Sequence, residues 1–332
     1  MMRRDIHDQM LTTLLGPIAP LLSDPGVSEI MLNGPAHVYC ERAGLLERTD
    51  LHFASSDDLL AALRNIAQFI GRPFDSTHPL LEGRLPDGSR VQAAMAPAAP
   101  HGPIVSIRKF PARPLTLPHL VQTGALTESM ALWIESAILQ KKNVVVSGGT
   151  GTGKTSVLNA ISQLIPAHER VVVLEDSHEL NLQHEHVVHL EAQPGDAAGR
   201  GAVSMRELFR ATLRMRPDRI VIGEVRGAEA FELIAAVTSG HGGCMSTLHA
   251  AHPQDTLARI ETMAMMSDVQ MPLSALREQI ASGIDVIVQV ERGRSGARRV
   301  AQITQVLGLR TDGSYQLEDV TFNGRPKGQA DL

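Results

Sequence analysis

The chain has 332 residues, with 31 lysines and arginines against 36 aspartates and glutamates, for a formal net charge of -5. With 43% hydrophobic and only 3% aromatic residues, it has apolar mass for about two folded domains at roughly 150 residues each, which excludes collagen and intrinsic disorder. The acid excess and the scarcity of rings argue against nucleic acid as a direct partner, because phosphate backbones are held by a Lys/Arg surplus and unpaired bases by stacking.

Cys40 and Cys244 stand alone without a C-x-x-C pair, which leaves neither a disulfide framework nor a zinc ribbon and points to a reducing compartment. The start, Met1 to Asp8, lacks the apolar core of a signal peptide, and no run of about 18 apolar residues follows. The expectation is a cytoplasmic chain that reaches any membrane through partners.

Residues 1–110 predict a smaller α+β domain. Val27 to Val38 and Leu45 to Leu51 carry strand-like apolar residues, and Asn33-Gly34-Pro35 breaks the first run as a turn. Ser55 and Ser56 are placed to cap a helix whose Leu59, Leu60, Leu63, Ile66, Ala67 and Ile70 recur at helical spacing before Gly71 stops it. Asp87-Gly88, between Glu82 to Leu85 and Arg90 to Ala94, suits a hairpin turn, and Ile104 to Arg108 alternates as one more strand. Residues 111–118 contain Pro111, Pro114 and Pro118. Prolines remove donors and fix φ, so a linker without regular structure is expected there.

From 119 to 332 strands and helices alternate. Helices are expected from Glu128 to Gln140, Lys154 to Leu164, Met205 to Met215 and Glu229 to Thr238, with strands at Asn143 to Ser147, Arg170 to Glu175 and Arg219 to Gly223. The valine and isoleucine strands are unbroken rather than alternating, the mark of a parallel sheet covered on both faces and so of an α/β domain.

Gly148-Gly149-Thr150-Gly151-Thr152-Gly153-Lys154-Thr155 fits G-x-x-x-x-G-K-[ST] at every fixed position, follows an apolar strand and opens a helix that continues through Ser156. Glycines let backbone N–H groups converge on phosphate oxygens, Lys154 supplies a cation for the β- and γ-phosphates, and the Thr155 hydroxyl is a Mg²⁺ ligand. A site for ATP with Mg²⁺ is predicted. Hydrolysis also needs a carboxylate at the end of a neighbouring strand. Glu224, after Arg219 to Gly223, is read as the residue that activates water, and Glu175 as an acid one layer behind the Mg²⁺ or the water, with exchange of the two roles open.

His241 and His249 flank a glycine cluster in which no carboxylate or cysteine completes a metal site. One reading makes the segment a flexible loop whose His241 senses the γ-phosphate and whose His249 bridges to a neighbour; plain core or loop histidines are the other. His178, His184, His186 and His189 read as solvated loop residues rather than zinc ligands. Arg292, Arg294, Arg298 and Arg299 read as a solvated hairpin tip rather than an anion site.

Four blocks together resemble the type II/type IV secretion ATPase superfamily: the phosphate loop; Arg170 through Leu180 with Glu175, Asp176 and Glu179; Arg214-Met215-Arg216-Pro217-Asp218 through Glu224-Val225-Arg226-Gly227; and the segment with His241 and His249. Within it, Ser28 through Pro35, Arg84 through Val91, Ser106 through Phe110 and Leu276 through Ser282 are most similar to the CpaF/TadA group of Tad (Flp) pilus ATPases, and the likeness runs from about Leu15 to Phe322. The resemblance implies a RecA-like P-loop NTPase domain preceded by a PAS-like α+β domain, a homohexamer, and an inner-membrane pilus or secretion platform to which the motor is peripheral. It also implies that Arg90 and Arg108 reach the γ-phosphate, where a guanidinium stabilises phosphoryl charge. Three departures stand out. The long N-terminal helical extension of many CpaF proteins is missing, and two lone cysteines exclude the four-cysteine zinc module of type II secretion ATPases. His241-Gly242-Gly243 lacks the acid that Tad ATPases often carry after the histidine, which leaves room for the conjugative TrbB-like group.

Overall fold

The computed structural model describes residues 15–42, 44–109, 115–193, 195, 200–293 and 296–322. The chain divides into two compact units, Met1–Arg113 and Pro114–Leu332, which part inside the proline-rich segment.

In the first unit a 3₁₀ turn at Gly16–Ile18 and a short helix α1 (Ala19–Ser23) lead into β1 (Val27–Asn33), β2 (Val38–Arg42) and β3 (Leu45–Arg48). Helix α2 (Ser56–Ile70) and strands β4 (Leu80–Arg84), β5 (Arg90–Ala94) and β6 (Ile104–Arg108) follow. The strands pair antiparallel in the order β3-β2-β1-β6-β5-β4. The run from Val27 to Val38 becomes two strands because Gly34, at φ 76°, takes the left-handed turn that glycine adopts without a Cβ penalty. Helix α2 starts where Ser55 Oγ accepts the Asp58 N–H at 3.1 Å and stops at Gly71, left-handed at φ 74°. Its Leu59, Leu63 and Ile66 join Ile30, Val91 and Ile107 in one core.

The second unit has helices α3 (Leu117–Gln122), α4 (Glu128–Leu139), α5 (Lys154–Ser162), α6 (Met205–Thr212), α7 (Ala230–Thr238), α8 (Pro253–Ala264) and α9 (Leu273–Gly283). Its strands are β7 (Val144–Gly148), β8 (Val171–Glu175), β9 (Val187–Glu191), β10 (Arg219–Val225), β11 (Met245–His249), β12 (Val286–Arg292), β13 (Arg298–Leu309) and β14 (Tyr315–Asp319). They form one sheet ordered β14-β13-β12-β7-β11-β10-β8-β9. The six strands from β12 to β9 are parallel and the two at the other edge antiparallel, an α/β architecture. Val144 and Val146 enter one core with Leu158, Val173 and Val288. Val145 points the other way and packs with Leu174, Ile222 and Leu257. Both faces being covered explains why every residue of β7 is apolar or small.

Two expectations need correction. Leu117 and Pro118, assigned to an irregular linker, begin α3: Thr116 Oγ1 accepts the His119 N–H at 3.3 Å, and Pro118 falls in the first turn, where no N–H is needed. Residues 110–114 lie outside the described residues. Likewise His189, read as a solvated loop residue, lies in β9, an edge strand parallel to β8; with one side unpaired, the strand tolerates a polar pattern.

At the N-terminal edge of the parallel strands, Arg219 is fully buried. Its Nε donates to Glu169 Oε2 at 2.5 Å and its Nη2 to the Ile138 carbonyl at 2.8 Å, while Lys141 Nζ lies 3.3 Å from the other Glu169 oxygen. A Cβ on Gly243 would come within 2.0 Å of the Arg219 guanidinium, so only glycine passes over it. Among the described residues, no helix is long and apolar enough to cross a membrane.

Candidate active site

Parallel strands deliver their chemistry at the C-terminal edge of the sheet. Strand β7 ends there at Gly148, and the loop to α5 turns through Gly151 at φ 70° and Gly153 at φ 93°. A Cβ on Gly148 would lie 2.4 Å from the Val290 carbonyl oxygen and 2.7 Å from Thr152 Oγ1, so β12 presses the loop into shape from the side. Inside it Thr152 Oγ1 donates to the Gly149 carbonyl at 2.9 Å. Lys154 opens α5 and is buried. Thr155 and Ser156 follow it on the same first turn. The loop amides, the Lys154 ammonium and the Thr155 hydroxyl are the groups that would hold phosphate oxygens and Mg²⁺.

His249 closes β11 and pairs in register with Gly148, which sets its ring beside the loop. Lys154 Nζ donates to His249 Nδ1 at 3.1 Å and to the Gly149 carbonyl at 3.1 Å. His249 Nε2 lies 2.6 Å from Glu224 Oε1, and Arg226 Nε donates to Glu224 Oε2 at 2.6 Å. Partial burial, then the Lys154 ammonium, lower the His249 pKa against the pull of Glu224. A neutral ring with its proton on Nε2 satisfies both neighbours, accepting from Lys154 and donating to Glu224. The result is one hydrogen-bonded line from the phosphate-loop lysine to the strand-end carboxylate.

Glu175 ends β8, next to β10 in the sheet. Its carboxylate lies over Gly223, where a Cβ would come 2.8 Å from Glu175 Cγ. Oε1 accepts the N–H groups of Glu179 and Leu180, each at 2.8 Å; Oε2 is 3.0 Å from His178 Nδ1 and 3.7 Å from His189 Nδ1. Burial alone would raise its pKa, but these imidazole and amide partners bring it down to about 2. Three hydrogen-bond donors hold Glu175, with His189 Nδ1 farther off at 3.7 Å, whereas Glu224 is tied to the loop through His249.

The remaining predicted residues divide. His241 lies at the N-terminal edge, before β11, with its Nδ1 2.8 Å from Ser239 Oγ. The five residues of β11, about 16 Å at roughly 3.3 Å each, separate it from the phosphate loop, so within one chain it does not meet the site as expected. Arg90 and Arg108 face each other in register on β5 and β6 of the first unit, Arg90 paired with Glu82. The arginine run at the β12–β13 turn is exposed at Arg298, as expected of a hairpin tip, but it also reaches the phosphate loop. Arg298 Nε donates to the Gly151 carbonyl at 3.0 Å, Arg292 Nη1 lies 3.4 Å from where a Gly151 Cβ would sit, and Arg299 is buried; Arg294 lies outside the described residues. The pairing of Val290 with Gly148 brings this hairpin to the loop, and strand adjacency is not written in a local motif.

Residues 12–325 match the family described as type II/IV secretion system protein. The chain belongs to that family. It is 36% identical over 324 residues to the type IV secretion system protein PtlH of Bordetella pertussis, covering 89% of this chain and 95% of that one. To the conjugal transfer protein TrbB of Rhizobium radiobacter it is 33% identical over 302 residues, covering 90% and 88%. The ATPase DotB of Legionella pneumophila, 21% identical with a TM-score of 0.59 over 89% of this chain and 78% of that one, shares its fold.

In this type II/IV secretion family chain the Gly148 contact makes a direct test. Gly148→Ala is expected to destabilise by about 1–3 kcal/mol through overpacking against a backbone carbonyl that cannot swing aside. Gly149→Ala, whose Cβ would meet only Thr152 Cγ2 at 3.6 Å, is expected to fold with near wild-type stability. Urea unfolding of the two variants side by side checks this, and equal losses would refute the packing argument.

Proposed function

We propose that the chain hydrolyses ATP with Mg²⁺ and works as a homohexameric motor at an inner-membrane platform, driving a Tad-type pilus or related secretion. The line Lys154, His249, Glu224 carries this reading. Lys154 and the loop amides hold the phosphates, Thr155 the Mg²⁺, and Glu224 accepts a proton from the attacking water. His249 reports phosphate to carboxylate: when Lys154 turns to phosphate oxygens, the ring that orients Glu224 loses its ammonium partner. In the same proposal the second unit is RecA-like and the first PAS-like. Arg90 and Arg108 keep the phosphate-facing roles that the resemblance implies for them, and Glu175 remains a supporting acid. Cytoplasmic placement, peripheral to the inner membrane, and the absence of nucleic acid as a direct partner also belong to it.

A second reading, a conjugative or type IV secretion motor, is favoured by the likeness to TrbB and PtlH. Neighbouring genes separate the two: pilin and platform genes for the first, relaxase and mating-pair genes for the second. The shared chemistry is tested by phosphate release from ATP with and without Mg²⁺, alongside mass determination of the assembly. Mg²⁺-dependent release by a six-copy particle is expected. ATP binding without release would make the protein a nucleotide-dependent scaffold and overturn the motor reading.

A further inference from the structure

We propose that Glu175, His178 and His189 form a binding site for a divalent transition-metal ion of the zinc class. The four histidines of this region do not act together. His184 Nε2 lies 3.1 Å from the Pro166 carbonyl and His186 Nε2 2.8 Å from Arg170 Nη1, so those two rings serve local packing. The other two converge. His189 sits on β9 opposite Val173 of β8, His178 in the turn after β8, and both present Nδ1 to one oxygen, Glu175 Oε2, at 3.0 and 3.7 Å.

The three donor atoms all lie within 4.8 Å of one another. A tetrahedral ion with bonds of about 2.0–2.1 Å holds its ligands roughly 3.3 Å apart, between the 3.0 and 3.7 Å that separate the two nitrogens from Oε2. The rings stand edge to face, 87° apart with centroids at 4.8 Å. Glu175 is held for the task, since its Oε1 is committed to two backbone amides at 2.8 Å while Oε2 faces the imidazoles. Its side chain is 4% exposed, against 34% for His178 and 31% for His189. A buried carboxylate therefore forms the floor and two half-open rings the rim, giving an ion a way in and a water the fourth position. Two imidazoles and one carboxylate make the donor set of an open zinc site. Metal binding displaces the protons shared between the rings and Oε2, and it fastens the turn after β8 to β9, one strand from Glu224.

The test uses the untagged full-length chain, freed of metal and titrated with Co²⁺ while the visible ligand-field absorption is followed, then with Zn²⁺ as competitor. One Co²⁺ per chain, displaced by Zn²⁺, is expected. His178→Ala and His189→Ala should each weaken binding at least about tenfold, the lower bound for losing even an outer partner of a ligand; His184→Ala and His186→Ala should leave it unchanged. Absence of the band, or a band that persists in the His178→Ala/His189→Ala double variant, overturns the site. No nucleotide enters the measurement, so its outcome is independent of the ATPase assignment.

Discussion

Glu224→Gln is expected to bind ATP as the parent chain does and to lose turnover on the order of 10²–10⁴-fold, the usual contribution of a positioned general base. The amide keeps the shape of the carboxylate, and its oxygen still accepts from His249 Nε2, 2.6 Å away in the parent. What it lacks is the lone pair that takes the proton of water, and its NH₂ group now faces the donating Nε of Arg226. Phosphate release and fluorescent-nucleotide titration on the same preparation separate kcat from affinity. Full turnover in the variant would remove Glu224 from the mechanism. A drop in affinity with unchanged kcat would instead assign the residue to nucleotide binding.

Arg219→Met should be as damaging to stability as Glu224→Gln is to turnover. Arg219 is fully buried and Glu169 nearly so, and removing one partner of a buried pair costs about 3–5 kcal/mol because the other charge is left stranded. Lys141, whose side chain is 44% exposed, offsets only part of this, and the Ile138 carbonyl loses the donor it has at 2.8 Å. The double variant Arg219→Met/Glu169→Gln strands no charge, so it should recover a measurable share of the loss in urea unfolding. If the double variant is as unstable as the single, the loss comes from the missing stem of the arginine rather than from the orphaned carboxylate.

Local chemistry in this chain was readable wherever it depended on neighbours in sequence. The phosphate loop needs glycines at fixed offsets, and Gly151 and Gly153 have the positive φ that a Cβ would resist. Unbroken runs such as Val144 to Val146 announced a strand buried on both faces. What escaped depended on which strands lie side by side. Val290 beside Gly148 brings the exposed Arg298 within hydrogen-bond reach of the Gly151 carbonyl. Val173 beside His189 brings an edge histidine to the strand-end carboxylate of Glu175. His241 was misplaced for the converse reason: it stands only eight positions before His249, but an extended strand between them carries the two to opposite edges of the sheet.

Strand β10 joins two kinds of dependence within seven residues, the buried ion pair at Arg219 and the carboxylate at Glu224. In genetic terms these should sort into different alleles. A lesion at Arg219 depletes folded chain, so a wild-type copy in the same cell covers for it and the allele is recessive. A lesion at Glu224 leaves a well-folded chain that still assembles, and if the copies work as a ring, one such chain stalls its neighbours and the allele is dominant. Position along a single strand would then set not only how severe a mutation is but whether a second gene copy can rescue it.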